Sequence, residues 1–378
     1  MNPRYSVVIA GGGPVGLALA RLLEQRGCRT CLIARADTTG AFRPIALSHA
    51  SFTLCQSLVP LVADSPIRTV EVSQHGQPGR TTMQASEHGL DALGYVIDLT
   101  TLSTALAHDM QPPAHIGSVT AWHPQASDIR VDWADPSGQV SSVDAQLLVL
   151  ADGGHGMRAA REYDYHQQAL VCSVKPERGH DGIAHEIFTA DGPLALLPCG
   201  DRYAVVWTLP SAQAARMLGA DEPTFLAALQ NLAGDRHGRL SEPGPRQAQP
   251  LLRRQTRSQE ARVLLIGNAA QTVHPVAGQG LNLGLRDALV LALQAAGQAH
   301  TDLGGAEFIN RYERTRSFDR HVTVGLTDVL ARVTRIGAGP GMTLPGLTRG
   351  LALTALQACP PARRFLARRM MLGARALP

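Results

Sequence analysis

Lysine is nearly missing from this chain of 378 residues: of its 35 basic side chains only Lys175 is one, and the rest are arginine. That skew reads as compositional bias before function. Aromatic residues are also scarce, at 4%. Although the formal net charge is +4 and the sequence pI is near 8.9, there is no basic stripe interleaved with stacking side chains of the kind that binds nucleic acid. No apolar run approaches the roughly eighteen residues of a membrane span, and the run after Arg4 is too short for a secretory signal. These absences predict a cytoplasmic chain whose membrane contact would be peripheral, on the inner face. Cys28, Cys31, Cys55, Cys172, Cys199 and Cys359 follow no even spacing, so buried free thiols are the default. Cys28 and Cys31 do form a C-x-x-C, but Cys31 falls inside an expected strand, a poor setting for a redox pair. No Cys/His cluster has zinc-like spacing. No Ser/His/Asp arrangement or acidic pair argues for hydrolysis.

The content that is present belongs to a soluble globular protein, with 44% hydrophobic and 17% charged residues. Its length suggests two or three domains of about 150 residues and a large buried core. The most informative stretch is 263–287, VLLIGNAAQTVHPVAGQGLNLGLRD. Residues 263–266 suit a strand buried on both faces of a parallel sheet. A loop with Asn268, His274, Pro275 and the glycines Gly267, Gly278 and Gly280 follows. It runs into a helix whose apolar stripe is Leu281, Leu285, Ala288, Leu289 and Ala292. A glycine-rich junction of this kind brings backbone N–H groups and a helix dipole toward an anionic or polar ligand. An ordinary βα loop is the plainer alternative.

Near the start, residues 5–10 form a β-branched apolar strand. Gly11-Gly12-Gly13-Pro14-Val15-Gly16 follows, then an apolar helical spacing through Val15, Leu19, Leu22 and Leu23, and a second strand over 29–34. In this βαβ context G-x-G-x-x-G is a dinucleotide fingerprint. Gly11 allows the tight turn, Gly13 the approach of a pyrophosphate, and Gly16 close helix packing. The carboxylate expected at the end of the second strand is missing, since Ala34 and Arg35 stand there; Asp37 is close enough to substitute if the chain turns back. Arg43 follows, as either a pyrophosphate contact or a surface arginine. Residues 65–97 alternate as antiparallel strands. Asp98 or Thr100 caps a helix through Leu102 and Leu106. Residues 117–150 read as a β-meander with a turn at 135–138, ending in a buried strand and Asp152-Gly153, placed like a nucleotide-contacting turn. From 169 to 207 four alternating strands predict a second, mostly antiparallel sheet. Residues 211–250 read as helical and then Pro-rich. A helix over 308–318, a Gly/Pro break at 337–341 and a basic amphipathic segment follow. That last segment carries Phe365, Leu366, Met370 and Leu372 with Arg363, Arg364, Arg368, Arg369 and Arg375, and suits either a membrane surface or a packed terminal helix.

GGGPVG, ADGG and IGNAAQTVHPVAGQGLNLGLRDA, in this order, resemble the group A flavoprotein aromatic hydroxylases. With RPIALS, GPLALLP and RSFDRHVTVGLTDVL the chain is similar, over essentially its whole length, to the ubiquinone-biosynthesis hydroxylases. The resemblance implies an α/β fold: a discontinuous Rossmann-type FAD-binding domain (1–70, 98–165 and 255–325), an inserted, mostly antiparallel β-sheet substrate domain (71–97 and 166–254) and C-terminal helices (326–378). It implies that Gly11, Gly13, Gly16 and Arg43 hold the FAD pyrophosphate, that Asn268 faces the ribityl and pyrophosphate groups, and that Asp152 and Gly153 serve FAD and NAD(P)H. Pro275 and the turn of Gly278, Gln279, Gly280, Leu281 and Asn282 would face the flavin ring, with Pro275 and Gly280 forming its catalytic environment. Two departures stand beside Ala34: Gly156 replaces the family's serine, and its arginine is shifted to Arg158 or Arg161. The implied chemistry is NAD(P)H reduction of FAD, capture of O2 as a flavin C4a-hydroperoxide, and hydroxylation of a polyprenyl phenol. Other quinone-biosynthesis proteins are implied partners, and no nucleic acid or metal is. The nearby histidines, His49 and His274, are assigned no role, and no general base is assigned. Three alternatives stay open: a hydroxylase of a small soluble aromatic acid, a non-catalytic FAD-fold subunit of a quinone-biosynthesis complex, and a flavin oxidase or reductase lacking hydroxylation.

Overall fold

A computed structural model describes residues 4–36, 42–62, 65–110, 114–154, 161–256, 260–273, 278–296, 302–335 and 344–373, the backbone alone at 326–335 and 345. Asp37, Gly156, Arg158, His274, Pro275 and Arg375 lie outside the described residues.

The first sheet is built on parallel strands in the spatial order Ala114–Ile116, Thr30–Ala34, Arg4–Ala10, Val140–Leu150 and Val263–Leu265. Apolar runs rather than alternation encode these strands because both faces are covered. Val7, Ile9, Leu147, Val149 and Leu264 pack toward helices Pro14–Glu24 and Gln279–Ala296 through Leu17, Leu285 and Ala288. Val8, Ala10, Leu148, Leu150, Val263 and Leu265 face the other way, onto Ile129 and Val131. The long strand Val140–Leu150 serves two partners on one edge. Its first half continues the meander Ser118–Pro124 and Ile129–Ala134, and its last residues pair with Val263–Leu265. At the meander's tip Asp135 Oδ1 accepts from Ser137 N at 2.8 Å.

The second sheet runs Leu240–Ser241, Arg161–Pro176, Arg202–Pro210, Pro193–Cys199, Ile183–Phe188, Thr69–Gln74 and Arg80–Gln84, with Gln247–Gln255 also on Arg161–Pro176. Every pairing is antiparallel except that of Ile183–Phe188 with Thr69–Gln74. Helices Ser211–Gly219 and Glu222–Ala233 cover one face, over Leu170, Leu196, Tyr203 and Trp207. The other face looks toward the first sheet, where Ala184 and Val70 meet Ala46, Ile67 and Val96. Between the two lies a small sheet of Pro44–Ser48, Gly94–Asp98 and Pro66–Ile67.

Local pattern and structure part company in two elements. The strand expected from residue 169 begins at Arg161, because its polar first half gains a partner in the Pro-rich stretch, with Arg254 and Glu162 paired at 2.6 Å. The helix expected over 308–318 extends over Ala306–Arg335. Asp98, rather than Thr100, caps helix Leu99–Ala107, its Oδ1 accepting from Thr100 N at 2.9 Å and Thr101 N at 3.3 Å. The C-terminal helices Leu344–Ala358 and Pro360–Leu372 pack on the second sheet: Gln357 Oε1 accepts from Thr82 N at 2.8 Å, Arg363 pairs with Glu87 at 2.6 Å, and Ala367 and Met371 join Met83 and Leu93.

One charged cluster ties the first sheet to two helices. Asp287, fully buried, accepts from Gly267 N at 3.0 Å, Gln271 Nε2 at 3.2 Å, Arg316 Nε at 2.7 Å and Arg320 Nε at 3.3 Å. Burial works against its charge, yet the Arg320 and Arg316 guanidiniums outweigh it and hold the carboxyl below the usual carboxylate range. Asp319 joins the cluster by accepting from Arg286 at 3.0 Å and Arg316 at 2.8 Å. Replacing Asp287 by Asn should destabilise the protein by about 3 kcal/mol, the low end for breaking a buried ion pair, since Arg316 keeps Asp319 and Arg320 keeps Glu313 as partners. Chemical denaturation of the FAD-loaded protein measures this, and a loss under about 1 kcal/mol would mean that the cluster is not structural.

Candidate active site

The carboxyl ends of the parallel strands carry the three motifs, and the chain brings them together there. Gly11 has φ +126, and a Cβ on it would lie 2.5 Å from the Ala151 carbonyl carbon and 2.6 Å from Asp152 N. A Cβ at Gly16 would lie 2.0 Å from Gly11 O. Glycine is therefore obligatory at both positions. Gly13 differs: a Cβ there meets nothing within 4 Å. It is the exposed N-cap of helix Pro14–Glu24 and offers no side chain to the first-turn N–H groups. A cradle of uncapped donors at a helix N-terminus, open to solvent, suits a pyrophosphate.

Asp152 Oδ1 accepts from Gly154 N at 2.9 Å, and Gly153 has φ +84, so the turn is held tightly beside Gly11. On its other side a Cβ at Gly154 would touch the Ala269 Cα at 3.4 Å, next to the exposed Asn268. Ala34 closes the adenosine side, 2.7 Å from where a Gly12 Cβ would stand. No carboxylate is present at that position. Arg43 donates its backbone N–H to Asp98 Oδ2 at 2.8 Å, and its exposed guanidinium reaches Gln249 Oε1 at 3.4 Å, on the second sheet. It thus stands at the boundary of the two sheets rather than deep in the cradle.

The stretch expected to face the flavin ring, its ring half, is built around Asn282. This buried side chain accepts from Ser48 N at 2.8 Å and donates to Ala46 O at 3.0 Å and Gly278 O at 2.8 Å. It locks strand Pro44–Ser48 to the start of helix Gln279–Ala296, and with its amide so used any flavin contact would come from its backbone. Gly278 has φ +59 and sits against Ala46. Gln279 is buried, while Gly280 and Leu281 are half-buried in the helix's first turn. His49 Nδ1 lies 3.1 Å from Ala92 O, a structural contact. Cys31 is buried in its strand with its thiol pushed up to about 12 by burial, which removes the C-x-x-C as a redox centre.

Beside the ring half lies a cavity of about 90 Å³. Gln279, Asn282, Ala46 and Ser48 form one wall, Val70 and Met83 the sheet side, and Met370 and Met371 the roof. Among the described residues none of its lining side chains is charged. Sequence reasoning missed the methionines and Met83, because only the tertiary fold carries the C-terminal helix back to this cavity.

A family model described as an FAD binding domain matches residues 4–58 and 104–321. The chain belongs to that family. Among curated relatives it is 32% identical to ubiquinone hydroxylase UbiL of Rhodospirillum rubrum, covering 97% of this chain and 89% of that one. It is 30% identical to 3-demethoxyubiquinol 3-hydroxylase of Escherichia coli, covering 85% and 88%. Its fold matches that of p-nitrophenol 4-monooxygenase PnpA from Pseudomonas putida DLL-E4, with a TM-score of 0.76 at 17% identity over 99% of this chain and 100% of that one. It is an FAD-dependent monooxygenase, and the open cradle at Gly13 fits the cofactor's pyrophosphate. Gly13→Asp should fold normally yet bind FAD at least about a hundredfold more weakly, because like charges brought together cost several kcal/mol. Gly16→Ala should instead lower the melting temperature. Flavin absorbance of the purified variants decides, and a fully yellow Gly13→Asp protein would refute the pyrophosphate assignment.

Proposed function

We propose that this monooxygenase hydroxylates a polyprenylated phenol in ubiquinone biosynthesis, using NAD(P)H and O2. The observation that carries the reading is the uncharged cavity beside the ring half, with its methionine roof. A small aromatic acid needs a cation to bind its carboxylate, and among the described residues the lining offers none, whereas flexible methionines suit an irregular apolar tail. The names of the curated relatives support the same substrate class. In this reading Gly11, Gly13 and Gly16 hold the FAD pyrophosphate with Arg43 beside it. Asp152, Gly153 and Asn268 line the path from the cradle to the ring. Gly278, Gln279, Gly280, Leu281 and Asn282 surround the ring, with backbone N–H groups directed at its negative charge. Bound FAD supplies the electrons taken from NAD(P)H and the activation of O2. The protein's part is to bind the phenol over the ring, using residues 71–97 and 166–254, and to keep water out. The cavity is smaller than the about 300–1,000 Å³ of typical ligand sites, so helix Pro360–Leu372 must yield for the tail to enter.

Expression in a quinone-deficient strain tests the reading. Growth should return, and mass spectrometry should show the accumulated phenol converted to a product with one more oxygen. Turnover of small aromatic acids alone would sink the substrate assignment, and a colourless protein that cannot be reconstituted with FAD would favour the scaffold alternative.

The substrate's tail also supplies a reason for a membrane contact. Among the described residues no helix is long and apolar enough to cross a membrane. Helices Leu344–Ala358 and Pro360–Leu372 do expose Leu344, Leu351 and Phe365, the last two 70% and 67% accessible, beside the exposed Arg364 and Arg368. The methionines of the same terminal helix roof the cavity. This arrangement suits shallow docking on anionic lipid. Cosedimentation with phosphatidylglycerol vesicles should exceed that with phosphatidylcholine. Leu351→Ser with Phe365→Ser should weaken it by about a hundredfold or more, given about 1.5–3 kcal/mol for each side chain fully buried. Equal binding by the double variant would remove these helices as the docking face.

A further inference from the structure

Strand Ile183–Phe188 alternates between two environments. Ile187 packs under the helices on one face, and His185 lies there against the rings of Tyr203 and His237. Ala184 packs on the other face, with Ala46 and Val70. By the period of two, Glu186 shares the face of Ala184. The register sets it beside Val72 and Ala195, while Ala184 stands beside Val70, and Val70 beside Met83. Val70 and Met83 line the cavity next to the ring half. Glu186 is therefore a diagonal neighbour of Val70, about 7–8 Å away along the sheet and within reach of a long side chain.

An acid here has no structural partner. No hydrogen bond or ion pair reaches the Glu186 carboxylate among the described residues. The residue is half-buried, and the protein around its carboxylate strips away most of the solvent. The charged groups nearby are engaged elsewhere. Glu71, His185, Arg236 and His237 cluster on the opposite face. Helix Leu344–Ala358 brings Arg349 to Gln74. Helix Pro360–Leu372 brings Ala367 and Met371, and strand Pro44–Ser48 brings Ala46. A buried unpaired carboxylate is a standing cost, which a purely structural position would have no reason to keep.

We propose that Glu186 is the base that takes the phenolic proton of the substrate. This assignment rests on the hydroxylase reading above. The phenol O–H bond breaks, and its proton forms a new O–H bond on the carboxylate. The electron pair stays on the phenol oxygen and is delocalised into the ring, making the ring carbon a better nucleophile toward the oxygen atom derived from O2. That atom attaches as the O–O bond breaks, and the ring carbon's own hydrogen leaves as a proton taken up by the second oxygen, which departs as water. Glu186 returns its proton to the original oxygen, which restores the aromatic phenol and regenerates the base. NAD(P)H and O2 supply the electrons and the oxidant. Desolvation pushes the Glu186 carboxyl up to about 7, which matches it to proton transfer near neutral pH.

The test uses the FAD-loaded enzyme and 2-allyl-6-methoxyphenol as a short-tailed probe. With wild type at pH 8 the ultraviolet difference spectrum of the bound probe should show phenolate. In Glu186→Gln that band should vanish and hydroxylation should fall about 10²-fold or more, while NAD(P)H oxidation continues with release of peroxide. Glu186→Asp should recover part of both signals. Above pH 7 Glu186→Gln should melt no lower than wild type, because an acid whose folded pKa is raised withdraws stability once it ionises. Wild-type hydroxylation and a wild-type phenolate band in Glu186→Gln overturn the assignment of Glu186 alone. A wild type that neither binds nor hydroxylates the phenol overturns the hydroxylase reading and this assignment with it.

Discussion

The buried carboxylate of Asp287 is the interaction on which the arrangement of the site depends. Its two oxygens reach the backbone of Gly267, where a parallel strand ends, and the guanidiniums of Arg316 and Arg320 on a helix far along the chain. A charge removed from water in this way is tolerated only when every partner is present. The cluster therefore acts as an all-or-nothing register mark: it sets how deep helix Gln279–Ala296 lies against the sheet, and hence where that helix's first turn meets strand Pro44–Ser48. Asn282 completes the setting with hydrogen bonds to Ser48, Ala46 and Gly278. Two polar side chains, both buried, thus position a site whose own contacts are mostly backbone.

That division of labour suits a flavin enzyme. The reactive chemistry belongs to the cofactor, and the protein contributes geometry, exclusion of water and control of protons. The cradle at Gly11, Gly13 and Gly16 is made of absent side chains, the ring half of backbone held by Asn282, and the adjoining cavity of apolar walls. Against that background the carboxylate of Glu186, on the same sheet face as Val70, stands out chemically, because the cavity's described lining is uncharged.

Much of the nucleotide half was legible in the chain. Gly11 and Gly16 are dictated by contacts of 2.5 Å and 2.0 Å that any other residue would violate, so the glycine spacing transmits the geometry directly. Strands buried on both faces write themselves as apolar runs, which is why 5–10 and 263–266 could be read. Arg43 was less legible, since an exposed arginine has many reachable partners and the one observed, Gln249, is 206 residues away. The polar strand from Arg161 was hidden for the same reason: it is stabilised by pairing with Gln247–Gln255 and not by its own pattern.

By itself the sequence determined the βαβ cradle, the family and the probable chemistry, because glycine positions and apolar periodicity are local consequences of backbone sterics and burial. The tertiary structure decided what shares a space. It brought Met370 and Met371 together with Gln279 and Asn282 around one cavity, set Val70 and Met83 on its sheet side, and put Glu186 rather than His185 on the sheet face that Val70 shares. The physical reason is that strand register is a property of pairs of strands: a shift of one residue would reverse which of these two side chains shares the face of Val70.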